Sequence, residues 1–243
     1  MATVDLPAYR SEGYQELGSL LSQHDLDQVT NRFNELDAAD QVSPDYQADY
    51  DGDGPDRRLR KLRRLVWNDP ALFGPILNRA KVPDIAEQVV GPGAVAVFHA
   101  AFLKPALIGT HVALHQDQAL WSYQYPSAFS VWFALTEVSP ANGGLFGCPG
   151  SHAGGLIEHR DRPDHPWHAS LSQVEDDLGE PKQFVLEPGQ ALMWDRYFAH
   201  GSAPNTSRED RRGMVMVFAD GSGPDFQARD AMSLAELRSL AEG

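Results

Sequence analysis

Residues 94–103, Ala94-Val-Ala-Val-Phe-His-Ala-Ala-Phe-Leu103, carry small, β-branched and aromatic side chains with one polar group among them. Gly91-Pro92-Gly93 closes the chain before them and Lys104-Pro105 after them. An apolar run of this length between breakers reads as a buried strand. Toward the C-terminus the same signature recurs at 112–116, 128–135, 145–148, 183–186, 191–194 and 213–219. Asn142-Gly143-Gly144, Pro149-Gly150, Pro188-Gly189 and Asn205-Thr206-Ser207 supply turns between these runs. Many short strands with no long helix between them predict a sandwich or barrel.

Toward the N-terminus the period changes. Leu17, Leu20 and Leu21, then Leu26, Val29, Phe33 and Leu36, predict helix over 11–37, with Gly18 weakening the middle and Asp25 as a second cap. Residues 38–57 read as a polar loop. Within it Asp49, Asp51, Asp53 and Gly54 resemble the start of a calcium loop, but the twelfth position is Arg60 where a bidentate glutamate is required, so a solvated acidic turn is the reading. Residues 58–66 hold the one basic block, with Arg58, Arg60, Lys61, Arg63 and Arg64. It reads either as a solvated face or as a source of one inward-turned cation. Asp69-Pro70 opens a helix, and Pro83 starts another that ends near Val90. Residues 153–181 form a His-, Asp- and Pro-rich insertion, read as a mobile loop at one mouth of the sandwich. Ser233 and Glu236 make a capping box for a last helix carrying Leu237 and Leu240. The expectation is one domain, 1–243: a helical part at about 1–93, a strand core at about 94–220 and a helix at about 231–242.

A formal charge of −14 argues against nucleic acid and anionic membranes as partners, since both want a basic surface. Cys148 is the only cysteine, so no intramolecular disulfide forms. Neither a signal peptide nor a membrane-length apolar run is legible, and the expectation is a cytoplasmic protein with a small-molecule substrate. The sequence leaves the oligomeric state open.

The chemistry is carried by His115-Gln116-Asp117. On an extended chain residues i and i+2 point to one face, which places an imidazole and a carboxylate side by side. His200, read as closing a strand over 191–197, offers a third ligand. Two histidines and one carboxylate suit non-haem Fe(II) and leave coordination positions open. His159-Arg160-Asp161 repeats the spelling inside the charged insertion, where no strand pattern would aim the two side chains together. His111 is a competing ligand, and His99 and His152 lie on or beside predicted strands. Beyond His200, Arg208, Arg211 and Arg212 lead into an apolar strand. One buried guanidinium there, with a hydroxyl beside it, would suit the carboxylate of a 2-oxoglutarate cosubstrate.

Four motifs in order carry a resemblance: His115-Gln116-Asp117, then Trp132, then Asn142-Gly143-Gly144-Leu145 with Pro149-Gly150-Ser151-His152, then His200-Gly201-Ser202 with Arg211. Together they resemble the phytanoyl-CoA dioxygenase family of Fe(II)/2-oxoglutarate-dependent oxygenases. The resemblance implies a mainly β protein, with a double-stranded β-helix (jelly-roll, cupin-like) core and N-terminal helices packed outside. It makes His115, Asp117 and His200 the catalytic iron ligands, with O2 as co-reactant. It selects Arg211 over Arg212 and pairs it with Ser202 for the cosubstrate, with Trp132, Gln116 and Arg63 as further cofactor-binding residues. Relatives that halogenate carry a small residue where Asp117 stands, so the resemblance implies an oxygenase rather than a halogenase. It also implies C–H abstraction leading to hydroxylation, or to the ring closures, desaturations or epimerisations that relatives perform in antibiotic pathways, some on glycosylated scaffolds. Trp121, Tyr123 and Tyr125 follow the metal motif as substrate-facing aromatics. A non-catalytic jelly-roll that binds a metal or small ligand is the competing class; it would need no arginine and serine after His200.

Overall fold

The computed structural model describes residues 4–39, 42–52, 54, 57–162, 165–171, 178–222, 226 and 231–241. In chain order these form α1 (Leu6–Glu12), β1 (Tyr14–Ser19), α2 (Gln23–Ala38), β2 (Asp49–Asp51), β3 (Arg58–Arg63), α3 (Leu65–Asn68), α4 (Pro70–Arg79) and α5 (Val82–Val89). The strand-rich part follows as β4 (Ala94–Lys104), β5 (Val112–His115), β6 (Ala128–Ala134), β7 (Leu145–Gly147), β8 (His159–Arg162), β9 (His165–Leu171) and β10 (Lys182–Gln183). It ends with β11 (Gln190–Asp195), β12 (His200–Ser202), β13 (Arg211–Asp220), β14 (Met232–Ser233) and α6 (Leu234–Ser239).

The strands build a large antiparallel sheet in the order β1-β11-β6-β13-β4-β3-β2, with β14 on β4, and a smaller one in the order β10-β7-β12-β5. β8 and β9 pair as a separate ribbon. Alternation explains how the layers stack. Phe129, Val131 and Phe133 of β6 join Met214, Met216 and Phe218 of β13 beneath Phe33 of α2 and Phe73, Ile76 and Leu77 of α4. The intervening Trp132, Ala134, Val215 and Val217 point the other way, into the space between the two sheets, with Trp194 and Phe198. Both faces of the central strands are covered, which is why all seven residues of β6 are buried. Each such Phe, Met or Val side chain contributes about 1.5–3 kcal/mol. The result is a mainly β fold, a double-stranded β-helix with helices packed outside.

Several expectations need correction. Residues 14–19 are strand, not helix: the leucine spacing imitates a helical period, but Gly13 ends α1 in the left-handed region at φ 79° and β1 pairs with the free edge of β11. Gly18 sits at φ 69°, where that pairing shifts register. Ser22, not Asp25, caps α2; Asp25 completes the capping box three residues in and accepts from Arg79. The N-terminal part is therefore not only helical, for it lends β1, β2 and β3 to the large sheet. Of the calcium-like stretch, Asp49 and Asp51 lie on β2 against arginines, while Asp53 falls outside the described residues. The insertion at 153–181 is not all loop, since its described residues include the β8–β9 ribbon. His200 does not close the strand before it. β11 ends at Asp195, Phe198 and Asp195 close a turn, and His200 opens β12 in the other sheet.

Candidate active site

β5 and β12 are neighbours in the small sheet, with His115 directly opposite His200. Gln116 continues the extended chain at φ −110°, ψ 132°, and Asp117 begins a single 3-10 turn over 117–120. The i, i+2 relation therefore holds although Asp117 lies past the strand. The Nε2 atoms of His115 and His200 each sit 3.7 Å from Asp117 Oδ1, and one ligand atom from each of the three residues lies within 4.8 Å of the other two.

The remaining atoms of these side chains are committed, and that defines the site. His115 Nδ1 donates to the Ala113 carbonyl at 2.8 Å and His200 Nδ1 to the Phe198 carbonyl at 2.9 Å. A carbonyl only accepts, so Nδ1 carries a proton in each ring and Nε2 is the nitrogen turned toward Asp117. Asp117 Oδ2 accepts from Ser130 Oγ at 2.7 Å and from the Trp194 indole at 2.9 Å, which leaves Oδ1 facing the imidazoles. Burial pushes the Asp117 carboxyl up, but His200, His115 and the Ser130 bond outweigh it and hold it well below the usual carboxylate range. Burial, with the neighbouring His115, brings the His200 imidazole down to about 4, so it is neutral at physiological pH. Two imidazoles and one carboxylate oxygen on one side of a cavity fit a non-haem Fe(II) with open positions.

The cavity holds about 730 Å³ between the two sheets, in the range of small-molecule sites. Arg211 reaches its wall from the first residue of β13 and is 2% exposed. One guanidinium nitrogen donates to the Gly143 carbonyl at 2.9 Å, the guanidinium stands 5.6 Å from the Trp132 ring centre, and Nε has no partner. Burial lowers it to about 10, so it remains a cation. Among the described residues no carboxylate neutralises it, and the pocket thus fits an anionic cosubstrate carboxylate. Gly213, two residues on, has no side chain because the Trp132 indole fills that space: a Cβ would lie 1.9 Å from the ring. Ser202 is buried on β12 of the smaller sheet and lines the same cavity. Arg212 points outward to Asn34 and Asp210, and Arg208 is exposed.

Not every expected residue reaches the cavity. Trp121 and Tyr125 do, but Tyr123 packs away from it against Tyr125 and Phe226. Gln116 is buried on the opposite side from its neighbours, as strand alternation requires; its amide donates to Gly155 and Tyr197 carbonyls and accepts from Ile157. It ties loops together rather than touching the cavity. Arg63 lines the cavity but is committed to Asp49 at 2.5 Å and to the Gln47 carbonyl. Lys61, two residues earlier, projects from the same wall beside Phe98 and Phe102, and burial brings it down to about 8. The β2–β3 register skips Arg60, a bulge that aims it into the cavity as well. Of the other histidines, His99 lies on the helix side and accepts from the Val66 N–H, and His152 contacts the Arg10 carbonyl. Ser130, Trp194 and Lys104 were not singled out as site residues in the sequence; of these Ser130 alone left a trace, as the one polar residue within an apolar strand. Arg60 and Lys61 belong to the basic block read as a source of one inward-turned cation, and that block turns three side chains, Arg60, Lys61 and Arg63, to the cavity.

The family model for phytanoyl-CoA dioxygenase (PhyH) matches residues 9–213. The chain belongs to this family. Phytanoyl-CoA dioxygenase 1 of Oryza sativa subsp. japonica is 24% identical over 228 residues, covering 90% of this chain and 80% of its own. Among solved structures, EvdO2 from Micromonospora carbonacea var. aurantiaca complexed with 2-oxoglutarate superposes with a TM-score of 0.73 at 23% identity, covering 92% of this chain and 95% of that one. EctD from S. alaskensis with bound Fe gives a TM-score of 0.69 at 20% identity, over 89% of this chain and 75% of that one. The family match spans both histidines, Asp117 and Arg211, and the structural likenesses carry the shared fold over about nine-tenths of the chain.

Proposed function

We propose that this PhyH-family protein is an Fe(II)/2-oxoglutarate-dependent oxygenase acting, as a single domain, on a small molecule. His115, Asp117 and His200 hold the iron; Arg211 and Ser202 hold the far carboxylate of the cosubstrate. The observation that carries the reading is the pairing of two features across one cavity: three committed ligand side chains, and a fully buried arginine with no counter-ion among the described residues. A non-catalytic metal site would gain nothing from that arginine, whose burial without an anion is costly.

When bound, iron and 2-oxoglutarate supply oxidative decarboxylation of the cosubstrate and removal of a hydrogen from an unactivated C–H bond. The chain supplies position. Ser130 and the Trp194 indole fix one Asp117 oxygen, so the other binds as a single ligand atom. The carboxylate fills the corner a halide would need, which supports oxygenation over halogenation. Trp132 covers the guanidinium and keeps water from it. The substrate wall is aromatic, from Phe98, Phe102, Trp121 and Tyr125, with Lys61 and Arg63 at its side. Such a wall and volume support a ring-containing natural-product scaffold, an antibiotic intermediate or a glycosylated one included. No described helix is long and apolar enough to cross a membrane; with a single buried cysteine, the cytoplasm is the proposed compartment.

The test is anaerobic reconstitution with Fe(II) and 2-oxoglutarate, then oxygen, with candidate scaffolds and mass detection. Coupled oxygen uptake and succinate release are expected. A gain of one oxygen marks hydroxylation, a loss of two hydrogens ring closure or desaturation, and an unchanged mass with altered retention epimerisation. A metal-replete protein that neither binds 2-oxoglutarate nor releases succinate would sink the reading.

A further inference from the structure

The wall that carries Arg211 contains a second buried cation with no role so far. Lys104, the last residue of β4, is the direct cross-strand partner of Arg211 on β13. Directly opposed residues project from the same face of a sheet, and both of these line the cavity. Lys104 is 5% exposed and Arg211 2%. Gly143 joins them: its carbonyl accepts from Arg211, and a Cβ on it would lie 2.9 Å from Lys104 Cδ. Lys104 Nζ donates to the carbonyls of Ser202, at 3.3 Å, and Ala203. An ammonium has three protons, so one remains for another acceptor.

Asn205 also ties the chain here, donating to the Lys104 and Glu209 carbonyls while its own N–H bonds Gly109. The charged groups that face Lys104 are Arg211 from β13, Arg60 from β3 and Asp51 from β2; β12 and the segment after it offer carbonyls. Asp51 is closer to Arg60, at 3.6 Å. Two like charges and one shared carboxylate make an arrangement that gains from an incoming anion.

We propose that Lys104 is a second cationic arm of the carboxylate subsite, acting with Arg211 and Ser202 on the far end of 2-oxoglutarate. The inference rests on the reading above, in which Arg211 holds that carboxylate. It adds a consequence that Arg211 alone cannot produce. Burial, with Arg211 and Arg60 adding to it, pushes the Lys104 ammonium down to about 6, so in the free protein it is largely neutral at neutral pH. A carboxylate arriving beside it restores the proton. Cosubstrate binding then takes up a proton, is tightest below about pH 6, and weakens up to about tenfold per pH unit above that.

The test is calorimetric titration of the full chain, loaded with Mn(II) under anaerobic conditions, with 2-oxoglutarate in buffers of different ionisation enthalpy near neutral pH. The native protein should take up about one proton. Lys104→Arg should bind without uptake, and Lys104→Met should bind about tenfold more weakly, again without uptake. 2-Oxobutyrate, which lacks the far carboxylate, should bind the native protein without uptake. If the native protein does not bind 2-oxoglutarate, or Arg211→Met binds it as well as the native chain, the oxygenase reading itself fails. If Arg211→Met loses binding while Lys104→Met keeps the native affinity and proton count, Lys104 only serves the two carbonyls and the inference is overturned.

Discussion

His115-Gln116-Asp117 and His159-Arg160-Asp161 share a spelling, and the structure gives their histidines the same local geometry. Each imidazole turns Nδ1 to the carbonyl two residues back, Ala113 in one case and Ile157 in the other, both at 2.8 Å. Each therefore leaves Nε2 to face a tertiary partner. What that nitrogen meets is different. His115 Nε2 faces Asp117 and the cavity, whereas His159 Nε2 accepts the backbone N–H of Gln116 at 2.9 Å. The second triplet thus braces the first. Asp161 is exposed, while Asp117 is held by Ser130 and Trp194. Local sequence sets the tautomer; the tertiary partner sets the role.

The comparison breaks most sharply at the two aspartates. Asp117→Ala should lower metal affinity at least roughly 100-fold, beyond the usual cost of losing a supporting residue, and abolish succinate release. Asp161→Ala should leave both within error, as metal titration and turnover would show. Equal effects would mean that the wrong triplet has been placed at the iron.

His159→Leu tests the brace. It strands a partly buried N–H between two ligands and should cost about 2 kcal/mol in urea unfolding while metal stoichiometry stays at one. Full stability in that variant would show that the Gln116 N–H finds another acceptor.

His99 extends the contrast, since it is buried with the opposite tautomer: its Nδ1 accepts from Val66. Burial pushes it down to about 3, against about 6.5 in the unfolded chain. The unfolded state binds the proton first, so stability is present above about pH 6.5 and is lost as pH falls toward 3. Between pH 7 and 5.5 this group should cost about 1 kcal/mol, and His99→Gln should flatten that part of the apo-protein profile. Arg160→Ala, which removes only an exposed pair with Glu158, should change stability by less than about 0.5 kcal/mol.

What was legible followed from periodicity and breakers. From Ala94 onward β4, β5, β6, β7, β11 and β13 lie where apolar runs between breakers put them, whereas β12 and the β8–β9 ribbon carry no such run and β10 covers only the start of the one at 183–186. Before Ala94 the signal failed at β1, an edge strand whose three leucines satisfy a helical period by accident. The clustering of His115 with Asp117 was legible because extended backbone fixes which side chains share a face; the same rule turns Gln116 away from them. Arg211 and Arg212 are indistinguishable as letters, and only the register against Lys104 and Leu103 sends one inward and the other to Asn34. Lys104 itself read as a strand end before Pro105, and Trp194 as one more core aromatic. Their roles exist only between strands.

The cavity is walled by two kinds of chain. His115, His200 and Arg211 stand on paired strands, with Asp117 on the turn that follows one of them. The aromatic side of the cavity is shared between β4, which carries Phe98 and Phe102, and the segment after the 3-10 turn, which carries Trp121 and Tyr125, with Lys61 and Arg63 brought by the β2–β3 hairpin. Part of the cavity lining thus lies on stretches apart from the two histidines and Arg211. Exchanges at 60–63 and 121–125 would change what that lining offers while leaving the paired strands that carry those three residues as they are.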